Sequence, residues 1–444
     1  MSPSQYRDER ASNGRTSATL DATRPAEAST ILRVRYEVVR RATEALCEPL
    51  TVEDHVVQTL YEVSPTKWHL AHTSWFFETF VLCEHTPDYR PLNSRYRDLF
   101  NSYYKAVGPA HSRGRRGVLS RPTLEEVYRY RRHVDAHMMQ FLERQGGPLS
   151  EDLAALITLG LHHEQQHQEL ILTDIKHVFA CNPLRPAYRA IAASRADAPP
   201  PLAWQAFPAG VQEIGHDGDG FAFDCEAPRH SVYLGAFRLA TRPVTNGEFV
   251  AFIEDGGYGR PALWLSDGWD AVQSEAWSAP LYWERRDGRW WTMTLGGMQR
   301  LNEAEPVCHV SYFEADAYAR WSGARLPSEA EWEIVARTVP MEGNFLETDH
   351  LHPVPGRLDK GGSGSAKLFG DVWEWTASPF AAYPGYRLPA GALGEYNGKF
   401  MCNQMVLRGG SCLTPRSHTR PTYRNFFPPQ ARWQVTGLRL AQEI

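Results

Sequence analysis

The pattern of apolar and polar positions divides this chain into a helical first part and an irregular second part. Residues 30–180 have the pattern of successive helices. N-terminal capping signals mark where three of them begin: Thr51 with Asp54, Thr123 with Glu126, and Ser150 before two acidic residues. Pro65 suits the first turn of another helix, which begins at about residue 66. We therefore predict helices at about 30–47, 51–62, 66–84, 123–144 and 150–180.

These helices are typical of an up-and-down four-helix bundle with a long crossover at about 86–122. The residues that follow, 182–202, are rich in proline and alanine, which is typical of a linker. The first 28 residues are rich in Ser, Arg, Ala and Thr and lack the apolar core of a signal peptide, so we interpret them as a disordered leader.

The chain changes character after residue 200, where twelve of its 14 tryptophans lie. Short aromatic and β-branched runs alternate with Gly, Asp and Pro, which predicts a loop-rich α+β domain. Clear helices are predicted there only at 310–321 and 328–338. The predicted organisation is a leader at 1–28, a helical bundle at 29–181, a linker at 182–202 and an α+β domain at 203–444.

Composition and charge narrow the class of protein. The chain of 444 residues is 42% hydrophobic and 22% charged, as expected of a globular protein with two domains. A net charge of −5 gives no reason to expect nucleic acid as a partner, and no apolar run approaches the roughly 20 residues that cross a bilayer. Seven scattered cysteines without a CxxC pair favour a reducing cytoplasm and free thiols.

The segment His163-Glu164-Gln165-Gln166-His167 carries the clearest chemical signal. Its two histidines lie four residues apart, so on a helix both rings can face one metal ion. The segment also fits the zinc-protease pattern H-E-x-x-H, in which Glu164 would be the general base. That reading lacks a third ligand, because Thr173 stands where the third histidine of the metzincin proteases would be and no Glu occurs between Glu169 and Glu213. The neighbouring predicted helix offers His69 or His72 instead, and either would complete a three-histidine face.

These residues resemble a known family. Trp68-His69-Leu70-Ala71-His72 and the His163–His167 segment resemble the DinB-like helical domain of ergothioneine-biosynthesis sulfoxide synthases. The second half resembles the formylglycine-generating-enzyme (sulfatase-modifying-factor) fold, a C-type-lectin-like domain. The motifs that carry this second resemblance are Arg242-Pro243-Val244-Thr245-Asn246-Gly247-Glu248-Phe249, Arg325-Leu326-Pro327-Ser328-Glu329-Ala330-Glu331-Trp332-Glu333, Gly370-Asp371-Val372-Trp373-Glu374-Trp375-Thr376, Leu407-Arg408-Gly409-Gly410-Ser411 and Gly437-Leu438-Arg439-Leu440-Ala441.

The resemblance implies a non-haem iron(II) oxygenase that uses O2 to join a thiol, cysteine or γ-glutamylcysteine, to hercynine (N-α-trimethylhistidine). The product is a sulfoxide. The family pattern maps the metal ligands onto His72, His163 and His167, and leaves His69 as a helix-packing residue. Glu164 would then be a helix-surface residue or would orient a ligand imidazole.

The resemblance also implies how the substrates are held. The family pattern places Gln166 and Asn425 against the quaternary ammonium of hercynine, and amide oxygens and aromatic faces such as those of Phe426 and Phe427 suit such a cation. The other reading of these two aromatic residues is simple packing at the junction of the domains. Basic residues of the crossover, Arg113 and Arg116, are candidates for the carboxylate of the thiol substrate.

A tyrosine is the expected proton donor in this family, because its phenol stays protonated at neutral pH. One branch carries that tyrosine just before the Val-Leu-Arg-Gly-Gly-Ser run, where this chain has Asn403-Gln404-Met405. We therefore assign the role to the pair Tyr103-Tyr104, with a slight preference for Tyr104. The tyrosine-bearing branch uses γ-glutamylcysteine, so the absence of that tyrosine here favours cysteine as the thiol substrate.

Several alternatives remain open on the sequence alone. Formylglycine-generating activity needs a cysteine pair after Gly410, and the chain has only Cys412 there. Related enzymes couple cysteine to histidine (the ovothiol type) or accept a selenosugar. A zinc protease and a non-enzymatic thiol- or metal-binding protein are less favoured. The oligomeric state is not indicated by the sequence.

Overall fold

The computed structural model describes residues 25–444 except 145–148, 193, 195–197, 219 and 357–366. Most of the predicted leader, residues 1–24, therefore lies outside the described residues. The first helix begins at Pro25, so residues 25–28 belong to the helix and not to the leader. The helices of the first part are α1 Pro25–Ala45, α2 Thr66–Phe77, α3 Tyr96–Leu99, α4 Leu124–Arg144 and α5 Glu151–Cys181.

The predicted four-helix bundle is confirmed. α1 and α2 each pack against both α4 and α5. The capping box at Thr123 and Glu126 forms at the start of α4, and the Ser150 hydroxyl accepts a hydrogen bond from the third residue of α5. α2 continues past Phe77 through one π-helical segment, Glu78–Leu82, and a last turn, Cys83–His85.

The helix predicted at 51–62 is wrong. The predicted capping bonds between Thr51 and Asp54 do form, but only a 3₁₀ turn, Asp54–Val56, follows them. The chain becomes extended at Val57, in a stretch whose β-branched residues disfavour a short helix. The Gln58 side chain then donates to the backbone carbonyl of Val63, in its own segment, and to that of Arg113, in the crossover. These contacts bring the segment to the edge of the bundle.

The described part of the predicted linker at 182–202 is docked on the protein. Tyr188 is buried, its hydroxyl donates to the Leu46 carbonyl, and its backbone N–H donates to the Leu295 carbonyl. Pro200 accepts a hydrogen bond from Arg242 through its carbonyl. The segment therefore ties the bundle to the second domain at several points.

The second domain is an irregular α+β domain, as predicted. Its strands are β1 Trp204–Phe207, β2 Gly210–Ile214, β3 His230–Leu234, β4 Phe237–Ala240, β5 Trp283–Arg286, β6 Arg289–Thr294, β7 Gly297–Arg300, β8 Gly343–Asn344, β9 Phe369–Gly370, β10 Trp373–Pro379, β11 Met405–Arg408, β12 Asn425–Phe427, β13 Thr436–Gly437 and β14 Ala441–Glu443. They form small sheets, in the orders β12-β11-β10-β13, β1-β4-β14 and β5-β6-β7, and the pairs β2-β3 and β8-β9.

In the described part of this domain, the α-helices are α6 Asn246–Glu254, α7 Ser266–Ser274, α8 Tyr312–Trp321 and α9 Glu329–Ala336. The two predicted helices correspond to α8 and α9, and α6 and α7 were not predicted. Capping boxes begin α6, α8 and α9.

One buried carboxylate fastens the two domains together. Glu169 of α5 accepts hydrogen bonds from the Trp373 indole and from the hydroxyls of Ser411 and Thr414. Because all these partners belong to the second domain, α5 is held at a fixed position against β10 and the loop after β11. The face of α5 that carries the predicted metal ligands therefore meets the second domain.

Two predictions about the chain as a whole can be compared with the structure. All seven cysteines are free, which agrees with the predicted lack of a disulfide framework. Among the described residues, no helix combines the length and apolar character that crossing a bilayer requires.

Candidate metal centre and substrate pocket

The structure brings together the three histidines that the sequence singled out. α2 supplies His72, and α5 supplies His163 and His167 one turn apart. One nitrogen of each ring lies within 4.8 Å of the others, and the two Nε2 atoms of α5 are 3.1 Å apart. All three side chains are buried. Three imidazoles that converge in this way are suited to hold one metal ion.

Hydrogen bonds behind two of the rings fix which nitrogen faces the centre. Nδ1 of His72 donates to the Phe100 carbonyl at 2.6 Å, which leaves its Nε2 free to bind a metal. Nδ1 of His167 lies 2.7 Å from Nδ1 of His69, whose Nε2 is 3.0 Å from the Asp174 carboxylate. With Asp174 as the final acceptor, His69 accepts from His167 and presents the Nε2 lone pair of His167 to the centre.

His69 therefore does more than pack helices, contrary to the sequence-based expectation. Asp174 is itself held by the backbone N–H of Ser64 and by the Trp433 indole. The carboxylate thus connects the metal centre to both the extended segment before α2 and the second domain.

The electrostatic setting keeps these imidazoles neutral. Burial lowers the pKa of His163 to about 3. Burial, together with the nearby His163 ring, lowers the pKa of His72 and of His167 well below the usual value. Neutral imidazoles offer lone pairs, so the residues present fit a divalent transition metal.

Glu164 points away from this centre. Its carboxylate accepts from Arg40 at 2.8 Å, Arg131 at 2.6 Å and Thr43 at 2.7 Å, inside the bundle. Although burial raises its pKa, Arg131 and Arg40 hold it at about 2. A carboxylate held between two guanidinium groups on the far face of α5 cannot act as the general base of a protease. Nor does it orient a ligand imidazole, a role that Asp174 takes instead.

A pocket of about 360 Å³ lies beside the three histidines, between the bundle and the second domain. It is lined by all of the predicted substrate-binding residues, by one of the two predicted tyrosines and by the ligand histidines: Gln166, Asn425, Phe426, Phe427, Arg113, Arg116, Tyr103, His72, His163 and His167. Residues more than 250 positions apart in the chain therefore share one cavity.

The two predicted tyrosines occupy different positions. Tyr103 lines the pocket, and burial raises its pKa to about 12. Tyr104 is fully buried behind it, with the two rings stacked at 4.6 Å and the Tyr104 ring packed against Trp75 and Phe80. The geometry thus places Tyr103, and not the slightly preferred Tyr104, on the pocket wall.

A third tyrosine, Tyr396, also lines the pocket and was missed by the sequence analysis. Its ring centroid is 5.8 Å from that of His163, and burial raises its pKa well above the usual value, so its hydroxyl stays protonated. No local pattern marks it, because it lies in an irregular segment more than 200 residues from the histidine pair.

The two arginines form a positive corner of the pocket. Arg116 is buried, its guanidinium stacks 3.3 Å over the Trp68 ring, and it donates to Ser64 and Ser102. Burial, with help from Arg113, lowers its pKa to about 8. Among the described residues, no carboxylate forms an ion pair with either arginine, although Asp174 acts on Arg116 from a longer range, and the Nε atom of each is buried without an acceptor. The corner is therefore suited to a carboxylate brought by a ligand.

The opposite side of the pocket is made of amides and aromatic rings. The Gln166 amide lies between the hydroxyls of Tyr396 and Tyr423. Phe426 stacks on Phe380 at 4.0 Å, and Phe427 meets Trp433 edge-on. Phe426 and Phe427 thus pack against rings of the second domain and also line the pocket, so both rings border the cavity.

The chemistry of formylglycine-generating enzymes finds no support here. Cys412 is completely buried, and burial raises the pKa of its thiol well above the usual value. Since a thiolate is the reactive form of cysteine, this thiol is unsuited to redox or copper chemistry.

Comparisons with known proteins agree with this two-part organisation. Residues 35–171 match the DinB superfamily, and residues 205–444 match the sulfatase-modifying factor enzyme 1-like domain. The chain is similar to the hercynine oxygenase of Mycobacterium tuberculosis, with 33% identity over 86% of this chain and 92% of the relative. It is also similar to the hercynine oxygenase of Mycolicibacterium thermoresistibile, with 31% identity over 92% of this chain and 95% of the relative.

Proposed function

This chain belongs to the hercynine oxygenase family, and from that premise we propose that it joins cysteine to hercynine with O2 in ergothioneine biosynthesis. The proposed reaction replaces the C–H bond between the two imidazole nitrogens of hercynine by a C–S bond. One oxygen atom of O2 goes to sulfur as the sulfoxide, and the other leaves as water. The observation that carries the proposal is the convergence of three neutral imidazoles on a pocket with one cationic corner and one amide-lined wall.

His72, His163 and His167 would hold iron(II), which supplies the binding and reduction of O2 when present. His69 and Asp174 keep His167 in the tautomer that binds metal. The Phe100 carbonyl does the same for His72. These bonds would keep the ligand face preorganised before metal enters.

The chain's own residues would hold the two organic substrates. Arg116 and Arg113 take the carboxylate of the thiol substrate, because the Nε atom of each guanidinium is buried without an acceptor. Gln166 and Asn425 face the trimethylammonium group, which accepts no hydrogen bond and donates none, so that amide oxygens and ring faces suit it. The phenol of Tyr103 or Tyr396 holds a proton at the pocket wall for transfer to reduced oxygen.

The test is an aerobic assay of iron(II)-loaded protein with hercynine and cysteine, and separately with γ-glutamylcysteine, read by mass spectrometry. We expect a hercynyl-cysteine sulfoxide with cysteine, lost in His72→Ala and kept in His133→Ala, which alters a histidine of α4 that does not line the pocket. Product with γ-glutamylcysteine alone would reassign the thiol. Product only when histidine replaces hercynine would favour the ovothiol-type reaction, and product only when a selenosugar replaces the thiol would favour the selenosugar reaction. No C–S product at all would overturn the proposal.

A further inference from the structure

A second cavity lies on the other side of one wall of the substrate pocket. It has a volume of about 690 Å³ and is lined by α5 and by loops of the second domain. Phe223, Tyr396 and Asn397 line both cavities, so these residues form a shared wall. The Phe223 and Tyr396 rings stack at 5.5 Å, and the Tyr396 ring lies 5.8 Å from that of His163. The second cavity therefore comes within one aromatic ring of a predicted metal ligand.

The cavity follows one face of α5 from the surface toward the three histidines. Asp152 and Ala155, near the start of the helix, are exposed at its rim. Leu156 and Leu159 come next on the same face and are half-buried. His163 follows Leu159 by one turn and is buried. The row of side chains thus leads from solvent to the predicted metal centre.

The inner part of this cavity is apolar. Its apolar lining includes Leu156, Leu159, Phe221, Ala222, Phe223 and Leu393. The polar lining residues are either exposed or already bonded: Arg35 and Asp152 are exposed, Thr158 donates to the carbonyl of Ala154, and Asn397 donates to Asp224. Such a lining favours a small apolar molecule over a charged one, because it offers no new partner for a charge.

Of the three substrates of the proposed reaction, O2 is the one that suits this lining. Hercynine and cysteine both carry charged groups, which are costly to move from water into an apolar cavity. The substrate pocket instead offers them two arginines and a wall of amides and rings. When both occupy that pocket, a path through the second cavity lets O2 reach the centre without displacing either.

We propose that the second cavity is the entry route for O2, which collects along α5 and passes between the Phe223 and Tyr396 rings to the three histidines. The inference rests on the proposed function, because that reaction consumes O2. The Tyr396 hydroxyl is hydrogen-bonded to the Gln166 amide. Rotation of the ring about its long axis leaves this hydroxyl in place while it opens the contact with Phe223, so the passage needs no rearrangement of the substrate pocket.

The first test narrows the cavity. Leu156→Trp fills it from α5, two turns before His163, and Ala222→Leu fills it from the second domain, in case the helix does not tolerate the larger ring. In each variant we expect kcat/KM for O2 to fall at least about threefold, while kcat at saturating O2 and KM for hercynine and cysteine stay within about twofold. An oxygen electrode measures these constants with iron(II)-loaded protein and O2 varied.

The matched control for the added bulk is Met139→Trp. Met139 is half-buried on α4 and lines neither cavity. This variant should keep the wild-type kcat/KM for O2.

The second test does not depend on turnover. Xenon enters dry apolar cavities, so crystals pressurised with xenon show where a small apolar molecule collects. We expect bound xenon beside Leu159 and Phe223 in the wild-type protein and its loss in Leu156→Trp.

The two proposals fail in different ways. A wild-type protein that consumes no O2 with hercynine and cysteine would contradict the proposed function, and the oxygen route with it. In an active wild-type protein, the route alone is overturned if xenon does not enter the cavity or if both filled variants keep the wild-type kcat/KM for O2. Equal falls of kcat/KM for all three substrates would also overturn it, because they would indicate general damage to the site.

Discussion

At the scale of single residues, the sequence predicted the grouping of the three histidines better than it predicted the residues that support them. The spacing of His163 and His167 is visible in one helix, and a third histidine followed from a neighbouring helix. Asp174 was missed although it lies two turns after His167 on the same face of α5, because its partner His69 comes from another helix. Tyr396 had no signal, since only the folded chain brings it to the histidines.

The role of Asp174 predicts a change in metal affinity. Asp174→Asn removes the carboxylate that holds His69 and, through it, the metal-binding tautomer of His167. We expect the affinity for iron(II) to fall about 10- to 100-fold, measured by competition with a chelator. Glu164→Gln is the matched control, because it neutralises another buried carboxylate on the same helix. It should lower stability, because two buried arginines lose their partner, and leave the metal affinity near wild type; the opposite pattern would contradict these assignments.

The positive corner of the pocket predicts a change in substrate affinity. Arg116→Met keeps an apolar contact with Trp68 but removes the charge, so KM for cysteine should rise at least about tenfold, as expected for a lost charge-assisted bond. KM for hercynine should change little. Arg115→Met is the control, because Arg115 is exposed in the same turn. Steady-state kinetics with each substrate varied in turn checks this, and an equal rise in both KM values would argue against a carboxylate site.

At the scale of helices and strands, local signals succeeded where they agreed with packing. The capping box at Thr123 and Glu126 placed the start of α4 correctly, and the two helices predicted in the second domain correspond to α8 and α9. The signal at Thr51 and Asp54 was equally good locally, yet the helix stopped after one turn. The residues after it bind the crossover segment through Gln58 instead, a tertiary contact that no local pattern reveals.

The approach of α2 to α5 depends on one glycine. A Cβ atom on Gly160 would lie 2.6 Å from a ring carbon of Phe77 and 2.8 Å from one of Phe76. Gly160→Ala should therefore destabilise the protein by about 1–3 kcal/mol through overpacking, despite the better helix propensity of alanine. Thr158→Ala on the outer face of the same helix has no such clash and should be near neutral. Urea unfolding of both variants tests this, and a stabilised Gly160→Ala would show that the helices separate easily.

At the scale of the whole molecule, buried histidines make stability depend on pH. Unfolded histidine has a pKa of about 6.5, and burial lowers the folded value of His163 to about 3. Below pH 6.5 the unfolded chain therefore binds protons that the folded chain does not, so the free energy of unfolding falls as the pH falls. Each such histidine should cost the metal-free protein about 2 kcal/mol between pH 7 and pH 5.

Denaturant unfolding of the metal-free protein at several pH values measures this loss. In His163→Gln the difference between pH 7 and pH 5 should shrink by about 2 kcal/mol, since one proton-binding group is gone. A wild-type protein whose stability is flat or rises on acidification over this range would contradict the neutral, buried state of these imidazoles.

The overall architecture was predictable because each domain carries its own sequence pattern. The join between the domains was not, because it depends on single pairs such as Glu169 with Trp373 and Ser411. The docked segment around Tyr188, predicted as a linker from its composition, is a further case in which tertiary contacts decide the outcome.

The division of the pocket between distant parts of the chain has a consequence for synthesis. The histidines precede Asn425 by more than 250 residues, so a ribosome finishes the metal face long before it makes the opposite wall. Helical bundles with local contacts fold early and quickly. We therefore expect the nascent protein to pass through a stage in which the face of the three histidines stands open to water, until the segments that carry Tyr396, Asn425 and Trp433 cover it.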